Sequence, residues 1–198
     1  MSAIPKTWIT PQEYLAKERQ ASFRSEYYRG EMFAMAGARY EHNRVKDNLS
    51  LELRSRLKQG RCFPLTSDMR VHIPATSLYT YPDVVVVCGQ TEFLDAERDV
   101  LLNPQVILEV LSEPTEKYDR GAKFPQYQQL PSLREYILMA QDQPRIERYV
   151  RQPNNDWLLT NFIGMDAQLT IPSLVISIPL QQIYEGIDWS QPPTAREA

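Results

Sequence analysis

The sequence predicts a mixed α/β (α+β) fold: a central mixed β-sheet flanked by helices, with an additional helix and hairpin at the N-terminus. Three observations support this class. Val45, Leu49, Leu53 and Leu57 recur every four residues within 41–59, the spacing of one buried helix face, and Gly60 supplies the stop. Residues 83–88 and 106–111 are so continuously apolar that they predict strands covered on both faces, in the middle of a sheet. Downstream, residues 134–140, 145–151 and 156–163 alternate as strands between turn signals at Gln141-Asp142-Gln143-Pro144 and Asn154-Asn155.

The remaining elements follow in order. Thr10-Pro11-Gln12-Glu13 has the form of a capping box and opens a short helix over 11–19. Residues 23–36 are rich in aromatic and apolar side chains and break at Arg29-Gly30, which predicts two short strands and a tight turn. Strands are expected over 61–66 and 69–73, helix in the later part of 112–130, and a closing helical turn over 179–184. The length of 198 residues suits one domain, taken as 1–189, with a loose tail over 190–198.

Composition excludes several functions. With 42% hydrophobic and 24% charged residues the chain reads as an ordinary globular protein, and 22 Lys and Arg against 25 Asp and Glu exclude DNA binding by bulk positive charge. Glycine, at 7 against 15 prolines, is too scarce for loops that cradle phosphates with several glycines. His42, His72, Cys62 and Cys88 offer no zinc-ligand spacing, and both cysteines are expected as plain core thiols without a disulfide. Neither a signal peptide nor a membrane span is expected, and the location expected is cytoplasmic.

Glu109 carries the clearest chemical signal. Every neighbour in Val106-Ile107-Leu108-Glu109-Val110-Leu111 is aliphatic, and an ionised carboxylate there costs several kcal/mol unless a cation or strong donors compensate. Asp83 follows Pro82 at the entry of the other apolar run. If the two strands are neighbours their carboxylates converge, and two close carboxylates need a cation, with Mg²⁺ (or Mn²⁺) the natural oxygen-seeking candidate. Simpler readings exist: a strand-entry turn residue for Asp83, and a buried ion pair with an arginine for Glu109.

The order Ser67-Asp68-Met69-Arg70-Val71, Tyr81-Pro82-Asp83-Val84-Val85-Val86, Glu109-Val110-Leu111-Ser112, Asp119-Arg120-Gly121-Ala122-Lys123, Tyr127 and Glu135-Tyr136 resembles the Uma family of restriction-endonuclease-like proteins, within the PD-(D/E)XK nuclease superfamily. The resemblance implies a restriction-endonuclease-like core and a metal-dependent endonuclease acting on DNA. It further implies that Asp83 and Glu109 bind the metal with the backbone carbonyl of Val110. The superfamily's strand lysine is absent, since Leu111 stands in its place, and Lys123 on the following helix is the matching basic residue. Asp68 matches the pattern as a further ligand or helper, and Asp119 accompanies Lys123.

Alternatives stand beside these assignments. Asp119 and Lys123 are four apart, the spacing of a surface ion pair, and Pro125 can kink or start a helix. Asp68 reads equally as an exposed strand-entry acid, and His42, a secondary supporting candidate at the site as a proton carrier, reads also as a capping or packing residue. Arg44, Lys46, Arg54 and Arg61, with Arg56 and Lys58, make the helix region basic and are candidate phosphate contacts or simply a solvated face. DNA is the expected partner, with no organic cofactor. The competing functions are a catalytically inactive binding or assembly module, such as a homodimer joined through Tyr27-Tyr28 or Tyr149, and a hydrolase of another phosphate ester.

Overall fold

Thr10 caps the first helix as the sequence requires: its hydroxyl accepts from the Glu13 amide at 3.2 Å, and Glu13 accepts from the Thr10 amide at 2.7 Å. The computed structural model describes residues 8–190 apart from 59 and 114. The first half comprises α1 (Pro11–Glu18), β1 (Ser25–Tyr28), β2 (Glu31–Ala34), α2 (Tyr40–Arg56), β3 (Cys62–Thr66), β4 (Arg70–Ile73), β5 (Leu78–Thr80), β6 (Val84–Cys88) and β7 (Val100–Leu101). The second comprises β8 (Val106–Leu111), a π-helical turn (Tyr118–Lys123), α3 (Phe124–Tyr127), β9 (Glu135–Ala140), β10 (Arg145–Arg151), β11 (Trp157–Ile163), β12 (Gln168–Ile171), a 3₁₀ turn (Pro172–Leu174), β13 (Ile176–Pro179) and α4 (Leu180–Ile183). Of the expected tail, residues 191–198 lie outside the described residues.

Two mixed sheets form where the sequence suggested one. The larger runs β11-β10-β9-β8-β6-β3 and is antiparallel except for the β8–β9 pair, and the smaller runs β2-β1-β5-β4-β7. β4 therefore leaves the larger sheet for the smaller one, drawn there by β5 and β7. These strands of three and two residues are too short to show a period in the sequence. The hairpin β12–β13 stands apart. Between β1 and β2, Arg29 and Gly30 both take positive φ (47° and 89°), the geometry of a two-residue hairpin turn, and a Cβ at Gly30 would lie 2.3 Å from the Trp8 ring.

The pleat sorts the larger sheet's side chains into two cores. Val84, Val86, Val106, Leu108 and Val110 pack under Val45, Leu49 and Leu53 of α2, with α4 and the hairpin beside them. Each fully buried Leu there contributes about 1.5–3 kcal/mol. Val85, Val87, Ile107 and Leu111 face the opposite way, onto Val71, Ile73 and Leu78 of the smaller sheet and onto Tyr127, Leu130 and Tyr136. A third cluster, Tyr14, Leu15, Tyr27, Tyr79 and Val100, seats α1.

One sequence reading is corrected here. Cys62 and Cys88 form a disulfide, because the antiparallel register of β3 and β6 sets them directly opposite with Cα atoms 3.9 Å apart. A separation of 26 residues gave no hint of this. Of the aromatic residues expected at a dimer seam, Tyr27 is buried against Tyr14 and Tyr79, while Tyr28 and Tyr149 are half-buried, the latter packed on Phe124 and Tyr136.

His72 of β4 stacks on Tyr79 with ring centroids 3.9 Å apart, and burial lowers its pKa to about 4. Its folded pKa thus lies below the ordinary histidine value of 6.5, so this contribution to stability is complete above pH 6.5 and is lost as pH falls toward 4. Discounted for solvent screening, it is worth about 1 kcal/mol. The variant His72→Phe, which keeps the stack, is expected to flatten that part of the acid limb in urea melts recorded between pH 7 and 4. An acid limb identical to wild type would count against it.

Candidate active site

Strand register brings the two acids together. β6 pairs antiparallel with β8 through Val84↔Leu108 and Val85↔Ile107, so Asp83, one residue ahead of β6, comes opposite Glu109. The Asp83 amide donates to Glu109 Oε2 at 3.1 Å, and the Val110 amide donates to Asp83 Oδ2 at 2.8 Å. Each strand thus holds the other strand's carboxylate by a backbone amide. Glu109 lies inside with its side chain 5% exposed, whereas Asp83 sits at the rim with 15%.

Lys123 reaches this point from the crossover between β8 and β9. Its Nζ lies 3.0 Å from Glu109 Oε1, 3.1 Å from Glu26 Oε1 and 3.4 Å from Asp119 Oδ1. The surface ion pair suggested by the Asp119–Lys123 spacing is therefore corrected: both residues are buried, because the π-helical turn packs inward over the sheet. Pro125 lies in the first turn of α3, where its missing amide costs no helical hydrogen bond, so it starts that helix. Tyr127 Oη donates to Glu109 Oε1 at 2.8 Å, and the Tyr118 ring lies 5.6 Å from Nζ.

The electrostatics follow from burial and proximity. Burial raises the Glu109 pKa, Asp119 and Asp83 add to the rise, and Lys123 opposes it without cancelling it. Asp119 is raised in the same way. For Lys123 burial disfavours the ammonium, yet Glu109, with Glu26 and Asp119, outweighs it and holds the lysine charged. His42 Nε2 stands 3.2 Å from Asp83 Oδ2, and the Asp83 carboxylate, with help from Glu109, raises the imidazole pKa against the opposing effect of burial. Of the sequence readings of His42, the cap is excluded because Arg39 is the N-cap of α2, and the imidazole stands beside Asp83, where a supporting residue would stand.

Glu26, Asp83, Glu109 and Asp119 surround Lys123 and His42, leaving negative charge in excess. Among the described residues no group of three or more His, Cys, Asp or Glu forms a ready-made metal cage. Two converging carboxylates with negative charge behind them suit a hard, partly hydrated cation such as Mg²⁺ or Mn²⁺, which keeps water and phosphate oxygens as its other ligands.

Other sequence candidates are placed elsewhere. Asp68 takes the form of its alternative reading, an exposed acid: its side chain, in the turn before β4, pairs with Arg24. Arg44 is anchored by its guanidinium, which donates to the Glu185 carbonyl at 3.0 Å. Arg54 leans on Ser50, Arg61 is exposed beside β3, and Lys46 lies one turn after His42 and is electrostatically felt by it. Leu111 is buried in the strand. The sequence reading missed Glu26, an acid inside an aromatic strand with no neighbouring signal, and gave no role to Tyr127.

Two proteins of Synechocystis sp. (strain ATCC 27184 / PCC 6803 / Kazusa) are similar to this chain. Uncharacterized protein sll1609 is 37% identical over 161 residues, covering 81% of this chain and 91% of its own length. Uncharacterized protein slr1290 is 33% identical over 185 residues, covering 93% and 96%. The fold is similar to the crystal structure of "a putative nuclease belonging to DUF820" from Anabaena variabilis ATCC 29413, with a TM-score of 0.73 at 17% identity over 89% of this chain and 97% of that one. The profile of the Uma2 family, described as "Putative restriction endonuclease", matches residues 11–181, a span that contains Glu26, His42, Asp83, Glu109, Asp119 and Lys123, and the chain belongs to that family.

Proposed function

We propose that the chain is a metal-dependent endonuclease that hydrolyses DNA phosphodiester bonds. The observation that carries this reading is the meeting of Asp83 and Glu109 from paired strands, each fixed by the other strand's amide, with Lys123 Nζ 3.0 Å from Glu109. Membership of the Uma2 family supports it.

Asp83 and Glu109, with the Val110 carbonyl, would hold Mg²⁺ or Mn²⁺. The chemistry supplied there by such an ion would be polarisation of a phosphate oxygen and activation of water. Lys123, held protonated by the carboxylates around it, acts as a positive charge toward the phosphate and not as a general base. Tyr127 and the Asp83 amide hold the Glu109 carboxylate, while His42 and the Val110 amide orient Asp83. Lys46 places a further charge beside His42, where an incoming phosphate backbone can meet it.

The test is nicking of supercoiled plasmid with Mg²⁺ or Mn²⁺. Asp83→Asn and Glu109→Gln are each expected to lower the rate about a hundredfold or more, by analogy with loss of one transition-state contact, and to abolish the calorimetric signal of Mn²⁺ binding. Equal nicking by wild type and Glu109→Gln would remove the assignment. One observation favours a second reading, an inactive binding module: Lys123 already supplies a cation to three carboxylates. A folded wild type that binds no Mn²⁺ would support that reading instead.

A further inference from the structure

The two mixed sheets have four outer strands, and three of them are blunted against pairing with another chain: β2 carries Glu31, β3 carries Pro64 and β7 is only two residues long. The fourth, β11, is not. Its seven residues, Trp157-Leu158-Leu159-Thr160-Asn161-Phe162-Ile163, include no charge, proline or glycine, and among the described residues no strand pairs with its outer side. The ladder with β10 shows which backbone groups are left over. The Gln152 amide donates to the Asp156 carbonyl and the Gly164 amide to the Pro144 carbonyl, so by the alternation of an antiparallel pair Leu158, Thr160 and Phe162 turn their backbone groups toward β10. Trp157, Leu159, Asn161 and Ile163 turn theirs outward. The strand also exposes apolar surface: Ile163 is 71% exposed, Leu158 55% and Leu159 43%.

We infer that β11 is a homodimer seam, at which a second copy of this chain adds its own β11, antiparallel about a two-fold axis at Thr160. That register opposes every residue of the strand, whereas a slip of two residues, the smallest that keeps the outward groups facing each other, leaves the ends unpaired. Trp157 and Leu159 then exchange both backbone hydrogen bonds with the partner's Ile163 and the partner's Asn161. The same step covers the exposed side chains. Ile163 comes against the partner's Trp157, a favourable pairing of an aromatic with a β-branched residue, and Leu158 comes against the partner's Phe162. Charge selects a second copy over an unrelated strand: at a two-fold seam a charge near the axis meets its own sign, and a strand free of charge is one that can meet itself. The two larger sheets become one continuous sheet.

The experiment is sedimentation velocity of the full chain over roughly 1–200 µM, because a seam one strand wide is expected to associate in the micromolar range. Wild type is expected to move from the mass of one chain to that of two across this range. Leu159→Lys, which sets two ammonium groups diagonally across the seam, is expected to raise the dissociation constant about tenfold or more, with circular dichroism and the urea midpoint showing that it folds. Cross-linking reads the register. Thr160 faces its own copy at a position without seam hydrogen bonds, where Cα atoms lie about 4.5 Å apart, so Thr160→Cys is expected to give a covalent dimer under mild oxidant on a non-reducing gel. Leu158→Cys is expected to give none, since its own copy stands about 13 Å away along the strand. The native cysteines are joined to each other and do not compete. Wild type that stays monomeric throughout overturns the inference, as does a dimer that Leu159→Lys leaves intact. Linking of Thr160→Cys no stronger than that of Leu158→Cys also overturns it, because the copies would then meet elsewhere or in another register. Neither the seam nor its test involves the metal site, so the plasmid experiment and this one fail independently.

Discussion

Lys123→Met is expected to lower the folding free energy by about 3–5 kcal/mol, the cost of removing one partner from a buried ion pair. Glu109, Glu26 and Asp119 would lose a cation that now lies within 3.4 Å of each, and none of these carboxylates is exposed enough to recover its loss in water. The measurement is the urea midpoint at neutral pH. Adding Glu109→Gln to Lys123→Met should restore part of the loss, since one fewer charge is left unpartnered, and the coupling between the two substitutions follows from the double-mutant cycle. A shift in Lys123→Met below about 1 kcal/mol would mean that the ammonium is solvated and not enclosed by carboxylates. The same lysine is proposed to face the phosphate, so its stability cost and its effect on nicking have to be measured on the same variant.

Breaking the Cys62–Cys88 link, by reductant or by the paired substitution Cys62→Ser and Cys88→Ser, is expected to cost about 2–4 kcal/mol. The bond closes a separation of 26 residues, which restricts the unfolded chain. It also ties the edge strand β3 to β6, and β6 is entered through Asp83. Urea melts of the oxidised wild type should show the difference, reductant should bring wild type to the variant's midpoint, and reductant should leave the variant unchanged. Coincident midpoints with and without reductant would show that the link contributes nothing to stability.

Parts of this site could be read from residues alone. Glu109 announced itself because a carboxylate between Leu108 and Val110, in a strand buried on both faces, must find a positive partner or strong donors. The cation itself could not be read in that way. Lys123 lies 14 positions further on, in a π-helical turn that no period marks, and its assignment depended on the family resemblance. Glu26 was invisible: its strand lies in the other sheet, and only the packing of the two sheets brings its carboxylate to Lys123. Between the two readings of Asp68 the sequence could not choose, since the segment that carries it leads into β4 of the smaller sheet, where the side chain pairs with Arg24.

What the amino-acid order determined by itself was the fold class, the interior position of β6 and β8, the helical face of Val45, Leu49 and Leu53, and the demand of Glu109 for compensation. These follow from local periodicity and from the cost of burying a charge, both of which act over a few residues. Only the tertiary structure decided that Asp83 stands opposite Glu109, that Lys123 supplies the charge, that His42 turns toward Asp83, and that Cys62 meets Cys88. Each of these depends on strand register or on the docking of a crossover, where one residue of slip sends a side chain to the other face, and such pairings are settled by the packing of the whole core.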